Sequence, residues 1–270
     1  MLTFPNCKIN LGLWVTGLRD DGYHDIETVF YPVPLTDILE IIVAPDHQDH
    51  FSMTGLEVPG DTGDNLCIRA YRILAADHTL APVHIHLHKV IPAGAGLGGG
   101  SSDGVHTLML LGRLFDLRLS SEALQDYAAR LGSDCPFFLR DKPAYAWERG
   151  DKIEVCDVDL SGHPIMIVVP PVHISTAEAY GMIGPEKRDC VLKDLLTRPL
   201  PEWKGTVTND FEGPLTTRFP EIGRIRDRLY EAGAIYASMT GSGSAVYGLF
   251  PKDTTPEIIF PDAFQWLGTL

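Results

Sequence analysis

The segment of this chain with the clearest chemical potential is rich in glycine. Residues 94–103 read GAGLGGGSSD, and five of the first seven are glycine. Such a backbone approaches a ligand closely and takes positive φ at several points. An apolar run ending near Val90 precedes the segment, and the apolar stretch 105–114 follows it. The pattern predicts a strand, a turn and a helix beginning at the serines, whose unpaired NH groups and positive dipole end would bind phosphate.

Two other interpretations of this segment stay open at this point. Gly94, Gly96 and Gly99 match GxGxxG, which also occurs in dinucleotide-binding domains. Those domains carry an acidic residue about 20 positions on, at the end of the next strand, whereas here Asp116 follows a helical pattern. A flexible linker is the other alternative, although linkers are not flanked by a strand and a capped helix. No GxxxxGK[ST] motif occurs, so a P-loop is excluded.

Asp134 and Lys8 are candidates for work on a phosphoryl acceptor. Asp134 lies between Gly132 and Pro136, which predicts a turn from which a carboxylate can reach a hydroxyl. Its alternative role is an Asx-turn or cap. Lys8 opens an apolar run, where an ammonium group needs an anionic partner, and Asp134 is the candidate. A lysine that extends to solvent from a strand end is the alternative.

His84, His86 and His88 alternate with Val83, Ile85 and Leu87. Steps of two residues along a strand separate side chains by about 7 Å, which suits a row better than a tetrahedral metal site. The pattern favours a polar strand face backed by a buried apolar one.

The elements that must position these residues are both strands and helices. Residues 124–131 and 221–232 have helical apolar periods, ended by Gly132 and Gly233, with Ser120 or Ser121 as the first helix's cap. Residues 46–65 predict loops with at most a short strand. Without strict βα alternation, the pattern favours an α+β fold of two lobes, with a boundary near residues 149–159. Strands are predicted at 9–15, 38–43, 83–90, 165–169 and 245–250.

Composition and charge exclude several functions. The 270 residues carry 22 Lys and Arg against 36 Asp and Glu, a net charge of −14 that disfavours binding to nucleic acid or anionic membranes. Five scattered cysteines without a CxxC pair indicate neither a disulfide framework nor zinc, and they fit a reducing cytoplasm. No apolar run approaches the roughly 20 residues of a membrane span, and no signal peptide is expected. The oligomeric state cannot be read from the sequence.

Several segments together resemble the GHMP kinase superfamily. They are PNCKINL at 5–11, the glycine segment and MTGSGS at 239–244; GYH at 22–24, GSDCPFF at 132–138 and NDFE at 209–212 resemble a cytidine-recognising branch of it. Cys7 and Ser133 depart from the usual alanine. The resemblance implies an N-terminal ATP-binding domain over 1–155, of ribosomal-protein-S5-like fold, and a ferredoxin-like C-terminal domain over 156–270.

The resemblance also implies roles for individual residues. Asp134 would be the catalytic base, and Lys8 would lower the pKa of the acceptor hydroxyl. Asn65 and Lys89 would contact adenosine, although locally they also suit a helix cap and a strand-end cation. Ser102 would reach Mg²⁺ or a phosphate, and Asp103 would cap the helix or approach the nucleotide. The implied ATP site comprises Pro92, Gly94, Gly96, Leu97, Gly98, Gly99, Gly100, Ser101, Ser102 and Asp103, with Asn65 and Lys89.

The acceptor implied by the resemblance carries a cytosine. Tyr23, His24 and Tyr180 would read that base, with Ser175 and Thr176 nearby, although packing roles are open to the aromatic residues. The turn of Thr240, Gly241, Ser242 and Gly243 would lie beside the phosphates, where a plain hairpin turn is the alternative. The expected reaction is phosphorylation by ATP, with Mg²⁺, of the 2-hydroxyl of a cytidylylated methylerythritol in non-mevalonate isoprenoid synthesis. A kinase for mevalonate or homoserine, or a nucleotide-binding protein without catalysis, are the alternatives.

Overall fold

The computed structural model describes residues 1–60 and 62–270. Within that part, strands and helices are mixed without strict alternation, as the sequence predicts for an α+β fold. The strands are β1 (Leu2–Thr3), β2 (Asn6–Leu18), β3 (His24–Thr36), β4 (Ile38–Val43), β5 (His50–Gly55), β6 (Val83–Lys89), β7 (Ala144–Glu148), β8 (Lys152–Val155), β9 (Pro164–Val169), β10 (Tyr236–Met239), β11 (Val246–Leu249) and β12 (Phe264–Thr269). The α-helices are α1 (Leu66–Asp77), α2 (Gly99–Leu114), α3 (Ser121–Leu131), α4 (Thr176–Tyr180), α5 (Leu192–Leu195), α6 (Glu212–Arg218) and α7 (Pro220–Glu231).

The chain forms two compact units, each built from several segments. Unit 1 comprises Met1–Cys7, Leu35–Ala93 and Gly98–Asp141. Unit 2 comprises Lys8–Pro34, Gly94–Leu97 and Lys142–Leu270. The glycine-rich segment therefore contributes to both units. The domain division at residue 155, which follows from the resemblance, stays a prediction.

Unit 1 is a four-stranded sheet with helices packed on it. The strand order is β1-β4-β6-β5, and β5 pairs with β6 in parallel. On β6 the apolar residues Val83, Ile85 and Leu87 are buried, while the three histidines between them are half-buried. This confirms the predicted polar face, and no group of three potential metal ligands exists among residues 1–60 and 62–270. α1 lies close to α2 because Gly104 has no side chain where Leu66 packs.

Unit 2 contains two antiparallel sheets. One has the order β10-β11-β9-β12, and every residue of β9, one of its two inner strands, is buried. α7 covers this sheet with Ile222, Ile225 and Leu229, which belong to the helical apolar period predicted over 221–232. The other has the order β2-β3-β7-β8 and includes Lys8–Leu18 of β2 and His24–Pro34 of β3.

Most predicted elements are present, with corrections at their ends. α3 begins after Ser120, whose hydroxyl accepts from the NH of Ala123, and it ends at Gly132. α2 begins at Gly99 and not at the serines, because Gly98 takes the left-handed conformation (φ 71°) that starts the helix earlier. The stretch 46–65 contains β5, and Asp61 within it lies outside the described residues. Within the described chain, no helix combines the length and apolarity that a membrane crossing requires.

Candidate functional site

In unit 1, the end of the glycine segment meets the first turn of α2. The first intrahelical hydrogen bond joins the NH of Ser102 to the carbonyl of Gly98. The NH groups of Gly99, Gly100 and Ser101 therefore have no carbonyl acceptor within the helix. With the positive end of a 16-residue helix, these groups are suited to bind an anion. A strand, β6, precedes the segment, as predicted.

Two polar side chains of this turn are buried. Ser102 is fully buried, and its hydroxyl lies 3.3 Å from Nδ1 of His106 one turn further along. Asp103 is 2% exposed, and its Oδ2 accepts a hydrogen bond from Lys89 Nζ at 2.8 Å. Gly98 occupies the N-cap position of α2, so the prediction that Asp103 caps the helix is wrong. The physical reason is that the Asp103 carboxylate forms an ion pair with Lys89.

Lys89 is the centre of a buried charge cluster in unit 1. Its ammonium group donates to Asp37 as well as to Asp103, and all three side chains are at most 3% exposed. Burial raises the pKa of the Asp103 carboxyl. Although burial acts to lower it, the two carboxylates raise the pKa of Lys89 above its usual value. Sequence reasoning missed Asp37, a lone acidic residue between two apolar strands.

Asn65 and Asp134 occupy helix starts in unit 1. The Asn65 side chain caps α1, since its Oδ1 accepts from the NH of Cys67 at 2.9 Å. This is the local role that the sequence left open. Asp134 precedes a short 3₁₀ turn, Cys135–Leu139, but its side chain makes no capping hydrogen bond there. The cap alternative for Asp134 is therefore not supported.

In unit 2, Lys8 is joined to the first half of the glycine segment. Its ammonium group, 3% exposed, donates to Asn10 Oδ1 at 2.6 Å and to the carbonyl of Gly96 at 2.8 Å. The NH of Lys8 donates to the carbonyl of Leu97. Lys8 is therefore a fixed, desolvated cation and not a lysine that extends to solvent. Its predicted pairing with Asp134 would join residues of the two units and stays a prediction.

The turn that follows β10 lies against the same half of the glycine segment. Gly96 has φ 81°, and a Cβ there would overlap the carbonyl oxygen of Thr240. The Thr240 hydroxyl lies within hydrogen-bond distance of Asn10 Oδ1 and of the Gly96 carbonyl, at 3.1 and 3.3 Å. The turn therefore has a packing role inside unit 2 beyond that of a plain hairpin connection.

Two residues of the NDFE motif hold this turn in place. Asn209 Nδ2 donates to the carbonyls of Met239 and Gly241, both at 2.9 Å. Glu212 Oε2 accepts from the NH of Met239 at 2.8 Å, and its other oxygen accepts from Arg226. The motif alone did not predict these roles. The available signal was a run of three polar residues around one aromatic residue.

The predicted base-reading residues of unit 2 are aromatic and partly exposed. His24 and Tyr180 stack with ring centroids 4.7 Å apart and planes at 26°, and Tyr180 meets Phe211 edge to face. Tyr23 is 58% exposed and packs against the guanidinium of Arg149. Ser175 caps α4 by accepting from the NH of Glu178, and the hydroxyls of Thr176 and Ser242 are 3.5 Å apart.

Comparison with known proteins gives a consistent result. Residues 65–142 match the GHMP kinases N terminal domain, and residues 192–261 match the GHMP kinases C terminal domain. A 4-diphosphocytidyl-2-C-methyl-D-erythritol kinase from Bacteroides thetaiotaomicron is 49% identical over 95% of both chains. One from Salinibacter ruber is 42% identical over 91% of this chain and 88% of the relative.

Solved structures agree. A crystal structure of 4-(cytidine 5'-diphospho)-2C-methyl-D-erythritol kinase covers 92% of this chain and 90% of its own, with 32% identity and a TM-score of 0.78. A mevalonate kinase from Methanococcus jannaschii has a TM-score of 0.68 at 14% identity, over 100% of this chain and 98% of its own, which shows a shared fold alone. The two-lobed GHMP kinase fold inferred from sequence is confirmed. The chain belongs to the GHMP kinases and, among them, to the family of 4-diphosphocytidyl-2-C-methyl-D-erythritol kinases.

Proposed function

We propose that this chain transfers the γ-phosphoryl group of ATP to the 2-hydroxyl of 4-diphosphocytidyl-2-C-methyl-D-erythritol. The observation that carries the proposal is the similarity, over 91 to 95% of the chain, to relatives named for this substrate, at 42 to 49% identity. The reaction serves non-mevalonate isoprenoid synthesis. Five cysteines, all free, fit work in a reducing cytoplasm.

The donor phosphates bind along the glycine segment. The unpaired NH groups at the start of α2 supply hydrogen bonds, and the helix end supplies positive potential without adding to the surface charge. This matters for a chain of net charge −14, which cannot attract ATP by bulk charge. The proposed ATP site keeps the set inferred from sequence, with the turn at Thr240–Gly243 beside it; the role of Lys89 is taken up below.

In the transfer step, the oxygen of the acceptor hydroxyl attacks the γ-phosphorus while Asp134 accepts the hydroxyl proton. The new O–P bond forms as the bond to the bridging oxygen breaks, and ADP leaves. Lys8 stabilises the negative charge that develops on the attacking oxygen. The hydrogen bonds of Lys8 to Asn10 and Gly96 support this role, because they fix the ammonium group where it is shielded from water.

Mg²⁺ supplies charge neutralisation on the phosphates of bound ATP. Protein sites for Mg²⁺ usually provide only one or two oxygens and leave the rest to phosphate and water. Ser102 carries a hydroxyl oxygen in the first turn of α2, at the end of the helix where the phosphates would bind, and could supply one such ligand. Ser102 is therefore the protein ligand that we assign to the ion.

In this proposal, the cytosine of the acceptor stacks on the paired rings of His24 and Tyr180. Aromatic stacking gives affinity, and polar groups at the edge of the base give selectivity. Tyr23, Ser175 and Thr176 complete the proposed acceptor site. Of these, Ser175 already uses its hydroxyl as a helix cap, so its contact with substrate would involve the same oxygen or the backbone.

One assay tests the proposal. ADP release is followed with three acceptors side by side: the cytidylylated substrate, its precursor without the cytidylyl group, and mevalonate. We expect turnover with the first alone. Equal turnover with the precursor would remove the base-reading role of His24 and Tyr180, and preference for mevalonate would contradict the proposed acceptor. ATP binding without ADP formation from any acceptor would indicate a non-catalytic nucleotide-binding protein.

A further inference from the structure

The charge cluster of Lys89, Asp37 and Asp103 lies directly beneath the first turn of α2. The ammonium group donates to both carboxylates, and the side chains are 2%, 0% and 3% exposed, respectively. A Cβ on Gly99, the first residue of α2, would lie 3.3 Å from Lys89 Nζ and 2.8 Å from Ile91. Glycine at this position therefore lets the helix begin against the cluster.

The three members belong to different parts of unit 1. Asp37 follows β3, and its Oδ1 accepts from the NH groups of Val90 and Ile91 at 2.6 and 2.9 Å. These are the residues that lead from β6 into the glycine segment. Asp103 belongs to α2, on the other side of that segment. Through Lys89, the cluster thus connects the chain entering the glycine segment with the helix leaving it.

The cluster depends on its single cation. Without Lys89, Asp37 would keep the two backbone NH donors of its Oδ1. Asp103 would keep no donor, because its Oδ1 has no hydrogen-bond partner among the described residues and its Oδ2 accepts from Lys89. Without the ammonium group, the two buried carboxyl groups would repel each other whenever both are charged. The one with fewer partners, Asp103, would move and carry the first turns of α2 with it.

We propose that Lys89 is a positioning residue that sets the phosphate-binding end of α2, and that it does so through Asp37 and Asp103 without contacting adenosine. The inference rests on the proposed function, because it takes the N-terminus of α2 to be where the phosphates of ATP bind. It replaces the adenosine contact that the resemblance implied for Lys89. A nearly inaccessible ammonium group that already serves two carboxylates has little to offer a base or ribose.

Binding of two ligands to the full chain tests the inference by calorimetry. ATP and inorganic triphosphate share the phosphates, but only ATP carries adenosine. We expect Lys89→Met to weaken both by the same factor, tenfold or more, and to raise the KM for ATP by a similar factor. Weaker binding of ATP with unchanged binding of inorganic triphosphate would show an adenosine contact and overturn the inference, as would unchanged binding of both.

A double variant tests whether Lys89 acts on triphosphate binding through the charge cluster. The native cluster has one positive and two negative groups; Lys89→Met leaves two negative groups, and adding Asp103→Asn returns the net charge to the native −1. We expect this double variant to regain at least fivefold of the lost affinity for both ligands. No recovery would contradict the role of the cluster. If Lys89→Met does not fold, the double variant alone carries the comparison of ATP with inorganic triphosphate. Equal changes in affinity for the two ligands would then support the inference, and weaker binding of ATP with native binding of inorganic triphosphate would overturn it.

Leu74→Ala is the control for simple loss of stability. Leu74 is fully buried in α1 of the same unit, so its truncation should lower the melting temperature and leave both affinities unchanged. Weakening of triphosphate binding by Leu74→Ala equal to that by Lys89→Met would overturn the inference. Binding of ATP by the unaltered chain without phosphorylation of the cytidylylated substrate would remove the proposed function alone. Absence of any triphosphate binding would overturn both.

Discussion

The contact between Gly96 and Thr240 makes Gly96→Ala a sharp test of the proposed site. Gly96 has φ 81°, and the new methyl group would overlap the Thr240 carbonyl oxygen. The left-handed conformation costs a non-glycine residue about 1–2 kcal/mol, and overpacking of a close contact costs about 1–3 more. The total is about 2–5 kcal/mol.

The same substitution should also slow the reaction, because the Gly96 carbonyl accepts from Lys8 and the displaced loop takes this acceptor with it. Since about 1.4 kcal/mol corresponds to tenfold in rate, 2 kcal/mol falling on the transition state lowers kcat/KM about 30-fold. Urea unfolding measures the change in stability, and ADP release with the cytidylylated substrate measures the change in rate.

Gly233→Ala is the matched control. Gly233 also has positive φ (95°), but a Cβ there meets nothing within 4 Å, and it lies between α7 and β10, before the strand that leads to Thr240. We expect it to lose about 1–2 kcal/mol of stability with turnover unchanged. If Gly96→Ala kept the native kcat/KM, or lost no more stability than Gly233→Ala, the reasoning from the Thr240 contact would be refuted.

Three further predictions concern other parts of the site. Asp134→Asn should lower kcat by roughly 10² to 10⁴ while calorimetry still detects ATP binding, and near-native turnover would remove Asp134 from the mechanism. Lys8→Ala should also lower kcat by orders of magnitude with ATP binding retained, and a change confined to KM would contradict its assigned role. Asn209→Leu removes the amide donor of two buried carbonyls and should cost about 2–4 kcal/mol in urea unfolding; a loss below 1 kcal/mol would show that the turn does not depend on this amide.

The local sequence pattern was sufficient to predict many of the strands and helices. The alternation on β6 predicted both its buried face and its row of histidines, and the apolar period with Ser120 and Gly132 predicted α3. β3 was missed because Pro32 and Pro34 interrupt its pattern. β3 pairs with β7 over Ile26–Phe30, before both prolines. The prolines, which lack a backbone NH, therefore remove no hydrogen bond between these two strands.

The contacts that define the site could not be predicted in the same way. Lys89 and Asp37 are 52 residues apart, and Asn10 and Thr240 are 230 apart, so no periodicity connects them. Asp103 looked like a helix cap because it follows two serines near a helix start. The structure shows that the Asp103 carboxylate accepts a hydrogen bond from Lys89, a contact that the local sequence does not indicate.

The hold of Asn209 on the turn after β10 has a consequence for the thermodynamics of ATP binding. Both carbonyls that this amide fixes are internal partners, so the turn is ordered by the protein itself. If the phosphates of ATP bind beside this turn, as proposed, little conformational entropy is lost in ordering it. The turn itself should then add little to the heat capacity change on binding.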